Sequence, residues 1–375
     1  MSPRGVALVA FVVALASAAP RVLAAQGLLP GPLIVLGWSD PLDLWYTDQL
    51  IGHRVPYRDI PFAYPPLVGY LVGLLSLLVP GVTWYIAGWG IVIALAAAAA
   101  AYALARAATP VRALAFWACS AQLLLLSAIN FDVLASLFVV LAAVAARQAA
   151  RTRSLVLLAF GAAAKLFPFA LAPVVILRAL ADRDRRGAVL GAATFALALG
   201  LIYLPASLGV DSTAQRTATY AYGDLVNRDS VWGLISAMFG SNGIDIRPLI
   251  APLSLAGTAL TYLVLVVPRA WRTRDPVVGF ALATLTLLLW SRLYSPQYSL
   301  WLLPFFVLLP LRTRTYVYLT IADVGVFFTI FPLTLLRPVG VDAAFLYIGM
   351  SVFVALRHVS LVLMWRDVTA TARAR

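Results

Sequence analysis

The sequence predicts an all-α, polytopic integral membrane protein with about 12 transmembrane helices and further helices lying along its outer side. Three observations predict it. Of 375 residues, 63% are hydrophobic and 11% charged, with a mean hydropathy of +0.93. A soluble chain of this size cannot keep so much apolar surface from water. The apolar residues come in long runs without the alternation of barrel strands, and in lipid only helices and closed barrels satisfy every backbone group. The 28 basic residues, all Arg except Lys165, cluster between those runs. That is the pattern of membrane topology, so the net charge of +13 does not point to a nucleic-acid partner.

The elements follow in order. The run at 5–25 follows Arg4 and is read as an uncleaved first span. The outer loop 26–84 contains a short apolar run at 65–79 that opens with Pro65-Pro66. It is a weak span, and is expected to lie as a juxtamembrane or re-entrant helix on the outer side. Runs at 85–105, 112–129 and 133–146 follow, the last two separated by an outer turn at 130–132. The run at 154–180 must cross twice, as half-helices meeting near Lys165-Leu166-Phe167-Pro168. The remaining runs are 188–207, 248–268, 277–291, 298–311, 315–335 and 344–365, with an outer loop at 208–246 and an outer turn at 292–297. This folding places the clusters at Arg106/Arg112, Arg147/Arg151/Arg153, Arg178–Arg186, Arg269–Arg274, Arg312/Arg314 and Arg366–Arg375 on the cytoplasmic face, with both termini. No internal repeat or linker appears, so residues 1–375 are read as one transmembrane domain of the plasma membrane.

Composition also narrows the chemistry. One cysteine, Cys119, and two histidines exclude a disulfide framework and a Cys-based metal site. No metal or cofactor is expected. There is no P-loop, G-x-S-x-G, H-E-x-x-H or dinucleotide fingerprint, which argues against an ATP-driven pump, a metalloprotease or a Rossmann nucleotide-sugar site.

The charges that fall outside the topology pattern are the candidates. The two long outer loops hold Asp40, Asp43, Asp48, Asp59, Asp211, Asp224, Asp229 and Asp245. A carboxylate at the membrane surface can act as a general base, and aromatics beside it suit sugar faces or the interfacial belt. Asp132 lies at an outer turn, where it is either a helix cap or a functional acid. Lys165, the only lysine, lies inside an apolar run, where an ammonium is costly unless paired or solvated. It either snorkels or meets an anion such as a lipid phosphate. Arg292 on an outer turn opposes the positive-inside trend, and calls for an ion pair or a phosphate. A transporter or lipid-linked-sugar flippase explains the hydrophobicity equally well, but not the acid-rich first loop.

Four segments together resemble a known family: SD…PYRD…YPPL at 39–67, NFDVLASLFVVLA at 130–142, GAAAKLFPFALAPVVIL at 161–177 and RLYSPQYSLWLLP at 292–304. They resemble the polytopic C-type (GT-C) glycosyltransferases, within them the actinobacterial polyprenyl-phosphate-mannose-dependent mannosyltransferases. The resemblance implies a GT-C-like fold and a polyprenyl-phosphate-linked sugar donor, often mannose. It implies a lipid, glycan or protein acceptor outside the cytoplasm, and inversion at the anomeric centre. An Asp of the first outer loop would be the general base, here Asp40 or Asp43. Tyr57, Arg58, Asp59 and Tyr64 match the PYRD and YPPL stretches, and Asp132 matches a second outer acid. Lys165 and Arg292 match basic positions near the lipid phosphate, and Gln297 and Tyr298 complete the SPQY motif. Ala63 stands where the family often has Glu, and Asn130 where Arg is frequent.

Overall fold

A computed structural model describes residues 1–47, 50–209, 225–336 and 343–373. Asp48, Asp211, Arg216 and Asp224 of the expected outer loops lie outside the described residues. The described chain is helical, with no strand beyond an isolated bridge between Pro56 and Ile60.

Helix α1 (Pro3–Ala25) starts with Ser2 accepting from the Gly5 N–H and Pro3 at its first position, and buries Ala10, Ala14 and Ala18 along one stripe. Two short pieces, Ile34–Gly37 and α2 (Asp40–Thr47), precede α3 (Pro66–Leu78). Helix α4 (Val82–Ala107) then packs along α1, and a Cβ added at Gly90 would lie 2.6 Å from the Ala18 Cβ. In an apolar solvent helices associate by close packing, and small residues allow it. Gly90→Val is therefore expected to force these helices apart and lower stability by about 1–3 kcal/mol. Thermal unfolding in detergent measures this, with the exposed Leu95→Ala as the neutral comparison.

The run expected at 112–129 is broken into Pro110–Ala113, a π-helical turn Leu114–Ala118 and α5 (Ala121–Leu126), capped by Ser120. Helices α6 (Asp132–Arg147) and α7 (Arg151–Ala164) follow. Lys165 is extended, at φ −157° and ψ 140°. Pro168 has no N–H to offer the Ala164 carbonyl, so the ladder stops there. A 3-10 turn, Phe167–Leu171, leads into α8 (Ala172–Ala181). The chain continues through α9 (Arg185–Ser207), α10 (Val231–Gly240) and α11 (Arg247–Thr261), the last prolonged by a π-helical turn to Arg272. It ends with α12 (Pro276–Trp290), a 3-10 helix Pro296–Trp301, α13 (Leu303–Leu308), α14 (Thr313–Leu336) and α15 (Ala344–Arg373).

Among the described residues, six stretches are long and apolar enough to cross a membrane: α1, α4, α9, Arg247–Arg272, α14 and α15. Of the shorter apolar helices, α12 is almost wholly buried, whereas α10 buries no residue. The protein is thus a multi-pass membrane protein of helical architecture.

Ion pairs reveal which ends lie together. Arg151 at the start of α7 pairs with Asp182 at 2.6 Å and with Asp184, both beyond α8. Helices α7 and α8 therefore form a hairpin, as expected from the arginine placement. Arg147 pairs with Asp275 at 2.7 Å, Arg178 donates to the Trp271 carbonyl at 3.0 Å, and Arg312 faces Asp367 at 3.4 Å. Arg112 donates to the Val307 and Leu309 carbonyls. These contacts gather the arginine clusters at one end. The other end gathers residues 38–40, 129–130, 165, 225–230 and 290–298. Of the about 12 spans that arginine placement predicts, six among the described residues, α1, α4, α9, 247–272, α14 and α15, are long and apolar enough to run from one end to the other. Helix α3 stays at the second end, where Tyr70 donates to the Ile202 carbonyl at 2.8 Å.

Candidate functional site

At the end away from the arginine clusters lies a cavity of about 1010 Å³. The first wall is the segment Trp38-Ser39-Asp40. Trp38 is extended, at φ −62° and ψ 132°, so its neighbours alternate in direction. Trp38 and Asp40 line the cavity, while Ser39 is buried and accepts from the Leu42 N–H at 3.3 Å, capping α2. The segment is clamped from behind. The Asp40 N–H donates to the Ile129 carbonyl at 2.7 Å. Arg21, buried in α1, donates to the carbonyls of Trp38 at 3.2 Å and Leu125 at 2.9 Å.

The Asp40 carboxylate accepts from the Tyr64 hydroxyl at 2.8 Å and from the Asn130 amide. Burial raises its pKa to about 6, against the opposing pull of the Lys165 charge and the Tyr64 hydrogen bond. A carboxylate poised there is ionised at neutral pH yet basic enough to accept a proton.

Lys165 lies in the wall at the break between α7 and α8. Its ammonium is 3.6 Å from Asp132 Oδ1, 5.1 Å from the Tyr298 ring centre and 5.8 Å from that of Tyr64. Asp132 is 1% exposed and lies behind the wall, where it also accepts from the Trp301 indole at 2.8 Å. Trp301 stacks between Phe167, at 4.0 Å, and Tyr298, at 4.2 Å. The 3-10 geometry of Pro296–Trp301 causes this, because side chains three residues apart eclipse one another in such a helix.

The facing wall joins residues 225–230 to the turn before Pro296. The Asn227 N–H donates to the Arg292 carbonyl at 2.9 Å, and its side-chain amide to Ser295 Oγ at 2.8 Å. Arg292 is buried and donates to the Leu225 carbonyl. Arg357 of α15 donates to the carbonyls of Asp229 and Tyr294, with its guanidinium 3.9 Å above the Tyr294 ring. Arg228, Asp229, Arg292, Gln297 and Tyr298 line the cavity here. Burial raises the Asp229 pKa to about 6 despite the Arg357 charge.

A third side is apolar. Phe169, 57% exposed, and Leu255, 55% exposed, line the cavity and also face outward. The cavity therefore opens sideways, between the turn after Lys165 and α11, onto the surface that lipid covers.

Of the residues singled out in the sequence, Asp40, Tyr64, Lys165, Arg292, Gln297 and Tyr298 share this cavity. Asp132 stands one layer behind it. Asp43 is exposed on α2 and lies outside it. Tyr57 is buried with φ 67° and donates to the Tyr64 carbonyl at 2.7 Å, bracing the loop rather than lining the cavity. Arg58 and Asp59 form an exposed pair at 2.8 Å, which holds the Asp59 pKa down to about 2. Trp301, Asn227 and Arg357 drew no attention in the sequence. Arg357 had a readable signal, an arginine inside the apolar run 344–365. Among the described residues, no three His, Cys, Asp or Glu side chains come together as for a metal ion.

Chemically, the cavity offers a basic carboxylate, fixed cations and an apolar side entrance. The family model described as Glycosyltransferase family 87 matches residues 62–296. The matched stretch holds Tyr64, Asp132, Lys165 and Arg292, and leaves Asp40 upstream. No curated protein matches the chain.

Proposed function

The chain belongs to glycosyltransferase family 87, and from that premise we propose that it transfers mannose from a polyprenyl phosphate to a lipid, glycan or protein acceptor. The reaction takes place on the extracytoplasmic face of the plasma membrane. One observation carries this reading: Asp40, Lys165 and Arg292 line a single cavity that opens onto the apolar outer surface. A prenyl chain remains in lipid at the Phe169–Leu255 side while its phosphate and sugar enter.

Asp40 accepts the proton of the acceptor hydroxyl as that oxygen attacks the anomeric carbon. The bond from anomeric carbon to phosphate oxygen breaks on the opposite side, so the configuration inverts and polyprenyl phosphate leaves. Negative charge grows on the phosphate, where Lys165 and Arg292 stabilise it, helped by Arg228 on the same wall. The sugar passes through oxocarbenium character as its bond to the phosphate oxygen breaks. Asp43 is the alternative base, and Tyr57, Arg58, Asp59 and Asp132 support the loops that carry the site. Neither a cofactor nor a metal enters this scheme. The whole chain acts as one transmembrane unit.

The test uses membranes containing the protein, given labelled polyprenyl-phosphate-mannose and candidate acceptors. Label is expected on the acceptor with inverted configuration, together with released polyprenyl phosphate. Because the base acts ionised, the rate is expected to fall about tenfold per pH unit below pH 6 and to level off above it. Asp229 also titrates near 6, so the Asp229→Asn protein should retain the same profile if Asp40 sets it. Movement of the labelled lipid between leaflets without transfer would identify a flippase instead.

A further inference from the structure

Among the described residues, two tryptophans line the cavity, and their indoles differ in what they do. The Trp301 N–H donates to Asp132 at 2.8 Å, and its ring is stacked against Phe167 and Tyr298. Trp38 is half-buried, and its accessible indole N–H donates to no group among the described residues. The transfer chemistry above gives the Trp38 side chain no role.

Trp38 is held beside the base. Arg21 donates to its carbonyl at 3.2 Å, and the Asp40 N–H is fixed on the Ile129 carbonyl at 2.7 Å. Extended chain rises about 3.3 Å per residue and sends residues i and i+2 to the same side. The indole and the Asp40 carboxylate therefore face one cavity, within reach of a single sugar unit. Phe331 of α14 flanks the indole, with ring centres 6.2 Å apart. Ile330 and Thr334 continue this flank along α14, and Thr334 is exposed, so the cavity also reaches the surface here. That opening lies on a different helix from the Phe169–Leu255 side.

Inversion decides which substrate meets this flank. The donor phosphate belongs with Lys165, Arg292 and Arg228 on the other walls. The attacking hydroxyl approaches the anomeric carbon from the opposite side, beside Asp40, so the rest of the acceptor lies along Asp40's own segment. An indole combines an apolar face with a polar N–H. A lipid chain laid against it would cover the N–H without accepting from it, which is unfavourable. A serine or threonine side chain of a protein has no rigid face to lay on the ring. A sugar ring supplies both, a C–H face for the indole and hydroxyl oxygens for the N–H.

We propose that Trp38, backed by Phe331, forms the acceptor subsite and binds a sugar ring there, so that the acceptor is selected as the end of a glycan. The inference rests on the glycosyl-transfer reading and assigns the acceptor side of the same cavity.

The experiment gives membranes containing the full chain labelled polyprenyl-phosphate-mannose with octyl mannoside, octanol or a serine-containing peptide as acceptor. The unaltered protein is expected to use octyl mannoside at least about tenfold better, in kcat/KM, than either of the others. Trp38→Leu should raise the KM for octyl mannoside about tenfold, with the donor KM changed less than about threefold. Trp38→Phe keeps a ring and loses the N–H, and should raise the acceptor KM by about threefold. Equal use of octanol or the peptide by the unaltered protein would overturn the selection of a glycan. If the variants raise both KM values alike, or lower kcat alone, Trp38 merely supports the Asp40 segment and the assignment is wrong. Label on none of the three acceptors would overturn the transfer reading itself, a separate and recognisable result.

Discussion

Replacing Asp40 by Asn is expected to lower sugar transfer by about 10²–10⁴-fold, the range that a general base contributes. The substitution keeps the shape and an oxygen for the Tyr64 hydroxyl, which now lies 2.8 Å from Oδ2. It removes the group that receives the acceptor proton. Donor binding, which engages the cations and the apolar entrance, should change little. Residual transfer should also lose the rise through pH 6. The exposed Asp43 gives the comparison. Asp43→Asn should retain transfer within about threefold if Asp40 is the base. The reverse result would move the base to Asp43 and require α2 to rotate.

Lys165→Met is expected to have the second large effect, on both stability and transfer. Its ammonium is 3.6 Å from Asp132, which is 1% exposed and has one oxygen without a partner. Removing one member of such a pair leaves a buried charge uncompensated and costs about 3–5 kcal/mol. The double variant Lys165→Met with Asp132→Asn should recover most of that stability, since the orphaned charge is gone. Transfer should stay low in the double variant, because the phosphate still lacks the Lys165 ammonium beside Arg292 and Arg228. Thermal unfolding and labelled transfer on the same preparations separate the two effects. Recovery of both in the double variant would reduce Lys165 to a structural role.

Much of the architecture was legible because lipid is a simple solvent. Apolar runs had to be helices, and the arginines had to share an end. The pairs of Arg147 with Asp275 and Arg151 with Asp182 place those clusters together. Even the hairpin at Lys165 could be read, since Pro168 cannot continue the helical ladder and the charge could not stay in the middle of a span. The candidate site was less legible. Tyr57, Arg58 and Asp59 belong to a motif as recognisable as Tyr64, yet only Tyr64 reaches the cavity. A motif records which residues recur together and is silent on which way each side chain points. In that loop, the positive φ of Tyr57 and its bond to the Tyr64 carbonyl decide the direction. Asp229 and Arg357 lie 128 positions apart in the chain. No local pattern joins them.

By itself, the sequence determined the helical membrane architecture, the grouping of the arginine ends and the break at Lys165. Each follows from a local cost, such as a charge in lipid, an unpaired backbone group or a proline in a helix. Only the tertiary structure decided which of several acids meets the cations, which aromatic side chain flanks the base and where the cavity opens to lipid. Those outcomes depend on non-local contacts: Arg21 clamping Trp38, Asn227 reaching Ser295 and Arg357 holding Asp229. Their geometry is set by packing across the whole bundle, which no single stretch of chain encodes.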